Sequence, residues 1–410
     1  MTRPASARES RHKITWSRAI EPPFTGRPSA RSVRRGLLRR GGYSVLMGPD
    51  LGQAVALCDA LGEIFCLTFA RGVDASEALR RFGAYPDTFA DLSREQMHER
   101  QTSFDLGYPR MAGAVVFGDW TVVLEPAGFQ GVGPVLGEVS RGTAAVGVLR
   151  HEHAESRFVY AVDGTEMTAF LPGWMDHVWG ADPQLLRGEL HAAGLDPVAA
   201  DSDGWGPRDA VARAVLLAAS ITGVMPSVQQ MSGPMLSAQF DPWFTGARPR
   251  GGGVLAADST APRPEREALV AAVDGASPAA KRATAVAEIR RIAGILGVAD
   301  TPGLAEALAD AEAERFPEVP VTAPLGRAVR GWLRAAVTAG ESLNGPARQR
   351  MGDADRRHGY RLGWFAFALR ATLYPDEDLA VRAALYSLGN GSAPLADPAA
   401  HEAAIGRLRP

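Results

Sequence analysis

The chain has 410 residues, too many for one compact core, so two or three domains are expected. It carries 44 Lys and Arg against 46 Asp and Glu, a formal net charge of −2, with 46% hydrophobic residues, as in an ordinary globular protein. Two cysteines, Cys58 and Cys66, are too few for a secreted disulfide scaffold, and no run approaches the roughly 20 apolar residues of a membrane span.

The balance of charge hides an uneven spread. Up to Arg40 there are eleven Lys or Arg against Glu9 and Glu21. Residues 1–46 are also rich in Pro, Ser and Gly and have no sustained apolar period, which predicts a disordered basic tail. A nucleic-acid or membrane-surface arm built on 32–40 is the other reading of the same charges. No apolar stretch follows the basic start, as a secretory signal would need. With Cys58 on a helical pattern and Cys66 in an apolar strand, a reducing cytoplasm is expected.

From about residue 47 the pattern is that of an α+β domain reaching to about 200. Leu51, Val55, Leu57 and Cys58 predict a short helix, and 63–70 a buried strand. Asp74 or Ser76 caps a helix carrying Leu79 and Phe82 and ending at Gly83. Residues 84–112 are mixed loop and short helix. Gly113-Ala-Val-Val-Phe117 and Trp120-Thr-Val-Val-Leu124 flank Gly118-Asp119, a hairpin signal repeated by 157–162, Asp163-Gly164 and 165–170. Pro134 opens a helix over 134–140, and 143–150 is a strand. About six strands with two or three helices, joined by short turns, predict a mainly antiparallel sheet with flanking helices. Residues 172–200 close the domain with a helix over 184–193, and a further helix spans 207–224.

The proline-punctuated stretch 225–262, with Arg250-Gly-Gly-Gly253, has the composition of an extended linker, so 201–262 is expected to be helix plus linker. Beyond it, 263–410 is Ala-rich with 3.6-residue periodicity, predicting a separate all-α domain with helices near 264–274, 279–297, 302–315, 324–339, 346–373, 376–388 and 397–407.

Several groups invite chemistry. Gly128-Phe-Gln-Gly131-Val-Gly133-Pro134 lies between a strand and a helix, where backbone amides can hold an anion, but its spacing is not that of a phosphate-binding loop. The ligand-binding candidates are Phe129, Gln130, Gly131, Gly133, Arg141, Trp174 and Trp179, a turn plus flanking aromatics that could also fill the core; Trp205 belongs to the same aromatic set. His151-Glu152-His153 puts two imidazoles on one strand face, yet a zinc site wants a third ligand, and Asp176, His177 and His191 have no diagnostic spacing. No metal site and no cofactor is therefore assigned. Glu125, Asp163 and Glu166 sit at strand ends or turns, with nothing in the sequence to pair them for acid–base work. No nucleophile motif accompanies the serines or cysteines, so no catalytic residue is assigned. Residues 327–370 hold nine arginines against Glu341, Asp353 and Asp355, with Trp332, Tyr360 and Trp364 interleaved. A nucleic-acid face and a locally paired helix surface, matched by acidic 300–318, are the two readings; the second is preferred.

Glu63-Ile-Phe-Cys-Leu-Thr-Phe-Ala-Arg-Gly72, Asp119-Trp120-Thr-Val-Val-Leu-Glu-Pro126, Ser140-Arg-Gly142, Ser156-Arg-Phe-Val-Tyr-Ala-Val-Asp-Gly164 and Trp179-Gly-Ala-Asp-Pro183 together resemble an actinobacterial family, Domain of Unknown Function 6461, over about 50–197. The resemblance implies a single α+β unit in a bacterial, cytosolic protein. It implies no activity, ligand or catalytic residue. The expectation is a non-enzymatic interaction module with a protein partner, in a regulatory or immunity-like role; the alternatives are a small-ligand protein or enzyme using the turn at 128–134 with Arg141, and nucleic-acid binding by the helical half. No membrane partner is expected.

Overall fold

Gly118 in the first hairpin turn, and Asp163 with Gly164 in the second, take positive φ, the backbone that two-residue hairpin loops require. These turns fix the register of four strands, and a sheet grows around them. The structure is a computed structural model and describes residues 50–195, 207–249, 264–389 and 395–409. The basic segment 1–46, Trp205 and the 250–253 run lie outside the described residues.

Among the described residues nine strands form one antiparallel sheet in the order β2-β9-β3-β4-β1-β5-β6-β7-β8. They are β1 (Ile64–Arg71), β2 (Ala90–Leu92), β3 (Met111–Phe117), β4 (Trp120–Pro126), β5 (Ala144–His151), β6 (Arg157–Val162), β7 (Thr165–Leu171), β8 (Trp174–Trp179) and β9 (Met235–Gln239). The central strands are apolar on both faces, as burial on both sides demands. Phe65, Leu67 and Phe69 of β1 point to one face with Val122, Leu124, Val146 and Val148. That face is covered by α1 (Leu51–Leu61), α3 (Arg94–Gln101), α5 (Arg187–Ala192), α6 (Pro207–Thr222) and α7 (Val228–Ser232). Cys66 and Ala70 point to the other face with Val123, Ala145 and Leu149, under α2 (Ala75–Arg81) and α4 (Pro134–Val139). Asp74 caps α2 by accepting from Glu77 N–H at 2.7 Å, and a reciprocal Ser93–Gln96 box starts α3.

The sheet is thus mainly antiparallel with flanking helices, as the sequence indicates, but it has nine strands where the sequence pattern marks about six. β2 is only three residues long. β8 pairs with β7 through a register shift between Phe170 and Leu171. β9 lies in the stretch whose prolines suggest a linker; it inserts between β2 and β3, pairing Ser237 with both Ala90 and Gly113. The prolines fall outside β9 itself, so the ladder loses no donor. The chain leaving β9 runs so close to the end of α2 that a Cβ on Gly83 would collide with the Asp241 carbonyl.

The rest is helical: α8 (Pro264–Gly275), α9 (Pro278–Leu296), α10 (Leu304–Glu312), α11 (Pro324–Glu341), α12 (Asp353–Thr372), α13 (Glu377–Ala384), α14 (Tyr386–Gly389) and α15 (Pro398–Leu408). Their core joins Ile289, Val329, Trp332, Phe365 and Leu369. Buried Arg282 donates to the Thr372 carbonyl at 2.7 Å, placing a cation at the negative C-terminal end of α12. Trp243, four residues after β9, belongs to this helical core and donates its indole N–H to the Ala366 carbonyl at 2.7 Å. The helical region is therefore packed onto the sheet region, and residues 49–410 form one compact unit. Truncating Trp243 removes both the buried ring and the bond to α12. Trp243→Ala is expected to lower unfolding free energy by about 3–5 kcal/mol, measured by urea denaturation, with Trp243→Phe losing less.

Candidate functional site

The polar heart of the sheet lies where β1 and β4 face each other. Cys66 pairs directly with Glu125, and Thr68 with Val123 on one side and Gly147 on the other. All point to the face under α4. Glu125, at a strand end in the sequence, is only 1% exposed. Its carboxylate accepts the Gly131 N–H at 2.7 Å and the Gln130 N–H at 3.0 Å. The glycine-rich turn before α4 thus does cup an anion, and that anion is the chain's own side chain. The turn lies flat on the sheet: a Cβ at Gly131 would strike the Thr68 hydroxyl, and one at Gly147 would strike the Gly131 carbonyl. The Thr68 hydroxyl donates to that carbonyl at 3.5 Å.

Burial raises the Glu125 pKa to about 7, against the two amides and the Cys66 thiol that favour its charged form. Burial, then the charge of Glu125, pushes the Cys66 thiol well above its usual range, so it is no ready nucleophile.

The other candidates separate. Gln130, Gly131 and Gly133 are in the turn, where Gly133 N–H donates to the Gln130 carbonyl at 3.0 Å. Phe129, beside them, is 52% exposed. Arg141 follows α4 near the opposite end of the sheet; it pairs with Glu138 at 2.6 Å and is not brought to the turn. Trp174 opens edge strand β8 and is 72% exposed. The ends of β4, β5 and β7 and the starts of β1, β6 and β8 lie together in the register, so Phe129, His151 and Trp174 share one end of the sheet. Trp179 lies further along β8. Its indole N–H donates to Glu166 at 2.7 Å, its ring carries Arg157 at 5.4 Å, and His177 stacks on it at 5.5 Å. Glu166 also takes Arg157 at 3.0 and 3.2 Å. It is a cross-strand ion pair rather than half of a carboxylate pair.

His151 ends β5, and its Nδ1 accepts from the His153 N–H at 3.2 Å. Burial, then His153, holds its pKa below the ordinary histidine value. Among the described residues no group of three or more His, Cys, Asp or Glu is placed to hold a metal ion.

Of the arginines of 327–370, Arg330, Arg334 and Arg350 reach the sheet region, whereas Arg327 and Arg356 bond within the helical region. Arg330 grips Asp87 at 2.8 and 2.9 Å and lies 4.1 Å over the Tyr85 ring. Arg350 pairs with Asp105 and lies 4.1 Å over Phe104. Arg370, its pKa lowered to about 10 by burial, donates to the carbonyls of Ala247 at 2.6 Å and Thr245 at 3.1 Å. Between α11 and the sheet region runs a cleft of about 340 Å³, lined among others by Tyr85, Tyr108, Arg110, Asp241, Arg327 and Arg334. Sequence reasoning missed it because its walls come from three separate stretches of the chain, 85–110, 239–241 and 327–337.

A raised carboxyl pKa means the folded state binds the proton more tightly than the unfolded chain. The stability tied to Glu125 is present below about pH 4.5 and is lost as pH rises through about 7. At about 1.4 kcal/mol per unit, the loss between pH 5 and pH 8 is expected to be on the order of 2–3 kcal/mol. Glu125→Gln should flatten that slope in urea unfolding, while lowering stability at pH 5 by about 1–3 kcal/mol because one amide is left facing an NH2 group.

No curated protein and no solved structure matches the chain. Residues 55–235 match the model of a family of unknown function (DUF6461), a span that runs past residue 197 to the first residue of β9 and leaves out the helical region.

Proposed function

We propose that this chain is a non-enzymatic interaction module that docks a protein partner on the outer part of its sheet, at the end where β8 begins. The observation that carries this reading is Trp174, 72% exposed on an edge strand. An indole in water at a sheet edge is an anchor without a pocket; burying a ring of this size removes roughly 150–250 Å² from solvent, and tryptophans of this kind dominate binding energy. Among the described residues the backbone of β8 has one neighbour, β7, so its outer edge offers main-chain donors and acceptors to an incoming strand. Exposed Phe129 at the same sheet end adds apolar area for a partner that covers both.

The reading as a small-ligand protein through the turn 128–134 draws less support, because Glu125 takes the amide donors such a ligand would need. The nucleic-acid reading draws less as well, because Arg330, Arg350 and Arg370 have partners within the chain. Cys58 and Cys66 are buried thiols, which supports a reducing bacterial cytoplasm as the setting.

Trp174→Ala is expected to abolish recovery of a protein partner from a native actinobacterial lysate, while unfolding free energy changes by less than about 0.5 kcal/mol because the ring is exposed. Capture of the same partner by wild type and variant, or recovery of only the chain itself, refutes the reading.

A further inference from the structure

We propose that the cleft between α11 and the sheet region is a binding site for a small organic dianion, a phosphomonoester or dicarboxylate with an apolar or planar body. One wall is a stripe of α11. Arg327, Arg330, Arg334 and Val337 follow at steps of three, four and three residues, which puts them on one helical face, and all four line the cleft. The opposite wall supplies Tyr85 and Asp87, the loop from Leu106 to Arg110, and Gln239 to Asp241 at the end of β9.

The charges of this lining do not cancel. Arg110 pairs with Asp241, and Arg330 with Asp87. Among the described residues, Arg327 and Arg334 bond no carboxylate and take main-chain carbonyls, those of Thr322 and Asp105, each at 2.5 Å. A carbonyl orients a guanidinium without neutralising it, so two positive charges remain at the cleft. Seven helical residues separate them, about 10 Å along the axis. That spacing suits two anionic groups on one molecule, or one phosphate with a body reaching along the helix.

Both arginines are held in place before any ligand arrives. The Arg334 stem lies against Gly107, where a Cβ would come within 2.5 Å of its Cγ and Nε. Gly107 and Tyr108 both take positive φ to wrap the loop around it. Arg327 is tied to the turn that precedes its own helix. Fixed guanidinium forks match the two oxygens of carboxylate or phosphate, and holding them ready lowers the entropy lost on binding. Leu333, Val337 and the ring of Tyr108 give the body of the ligand an apolar bed. The volume, about 340 Å³, falls at the lower end for small-molecule sites.

The test uses the full chain, with AMP, inorganic phosphate and glutarate as probes and adenosine as the neutral control, all at matched ionic strength in chloride. Calorimetric titration and thermal melting are read together. At least one anionic probe is expected to bind saturably and raise Tm, with adenosine at least tenfold weaker. Binding of AMP or phosphate without glutarate identifies a phosphomonoester site, and the reverse a dicarboxylate site. The double substitution Arg327→Gln with Arg334→Gln is expected to weaken binding at least tenfold, and the Lys pair at the same positions, which keeps the charge and loses the fork, to fall between. Failure of every anionic probe to bind beyond the chloride control, or equal binding by wild type and a Gln double variant that melts like wild type, overturns the proposal.

Discussion

β9 enters the sheet between β2 and β3, and nearly everything that joins the two halves of the molecule follows from that insertion. The strand is five residues long, and the chain just after it is pinned at three points. Phe240 forms a bridge with Ala84, the Asp241 carboxylate pairs with Arg110 and caps the Trp243 N–H at 2.9 Å, and the Trp243 ring enters the helical core. The ladder sets where Asp241 stands, and Asp241 sets where Trp243 points. Residues 245–247 then present carbonyls to half-buried Arg370 of α12. An ion left in a low-dielectric interior without partners is heavily penalised, so Arg370 holds this segment as firmly as the segment holds Arg370.

The same economy of internal partners governs the glycine-rich turn. Amides at the start of a helix attract anions, and evolution can leave that place open for a ligand or close it with a side chain. Here Glu125 closes it, one strand position after the apolar face of β4 ends. The result is a buried acid whose charge is supported by two N–H groups and a thiol, yet opposed by the loss of water around it. Both faces of the sheet centre are covered, and Glu125 and Thr68 take their partners from the turn that lies on it. Surfaces able to meet another molecule therefore lie at the edge by β8 and in the cleft beside α11.

The hairpins were legible in the sequence because their partners are near neighbours: two strands and a two-residue turn specify each other within about 14 residues. Helices were legible for the same reason, from capping residues and a 3.6-residue period. β9 was not, since its partners, Ala90 and Gly113, lie more than 120 residues upstream and its own five residues carry little apolar alternation. β2 is shorter than any pattern can mark, and the irregular register of β7 and β8 blurs the alternation that would announce an edge strand. Among site residues, the turn 128–134 was legible as an anion-binding shape, but the identity of its anion was not. Only the pairing of β1 with β4 turns Glu125 inward beside Cys66. The arginines of α11 and α12 were visible as a cluster, yet acidic 300–318, near in sequence, was the wrong place to look for their partners; Asp87 and Asp105 lie across the fold.

The boundary of the family match bears on how function divides along this chain. Residues 55–235 contain β8 with Trp174, and they contain Tyr85, Asp87 and the loop that carries Gly107. They do not contain Gln239, Asp241 or α11. A chain holding only the matched span would keep the edge strand and would lose one wall of the cleft, along with every arginine of α11 that charges it. The edge strand with Trp174 thus lies inside the matched span, whereas the cleft needs α11, which lies outside it. Because Arg330 stacks on Tyr85 and grips Asp87 across that boundary, the docking and the cleft rest on the same side chains.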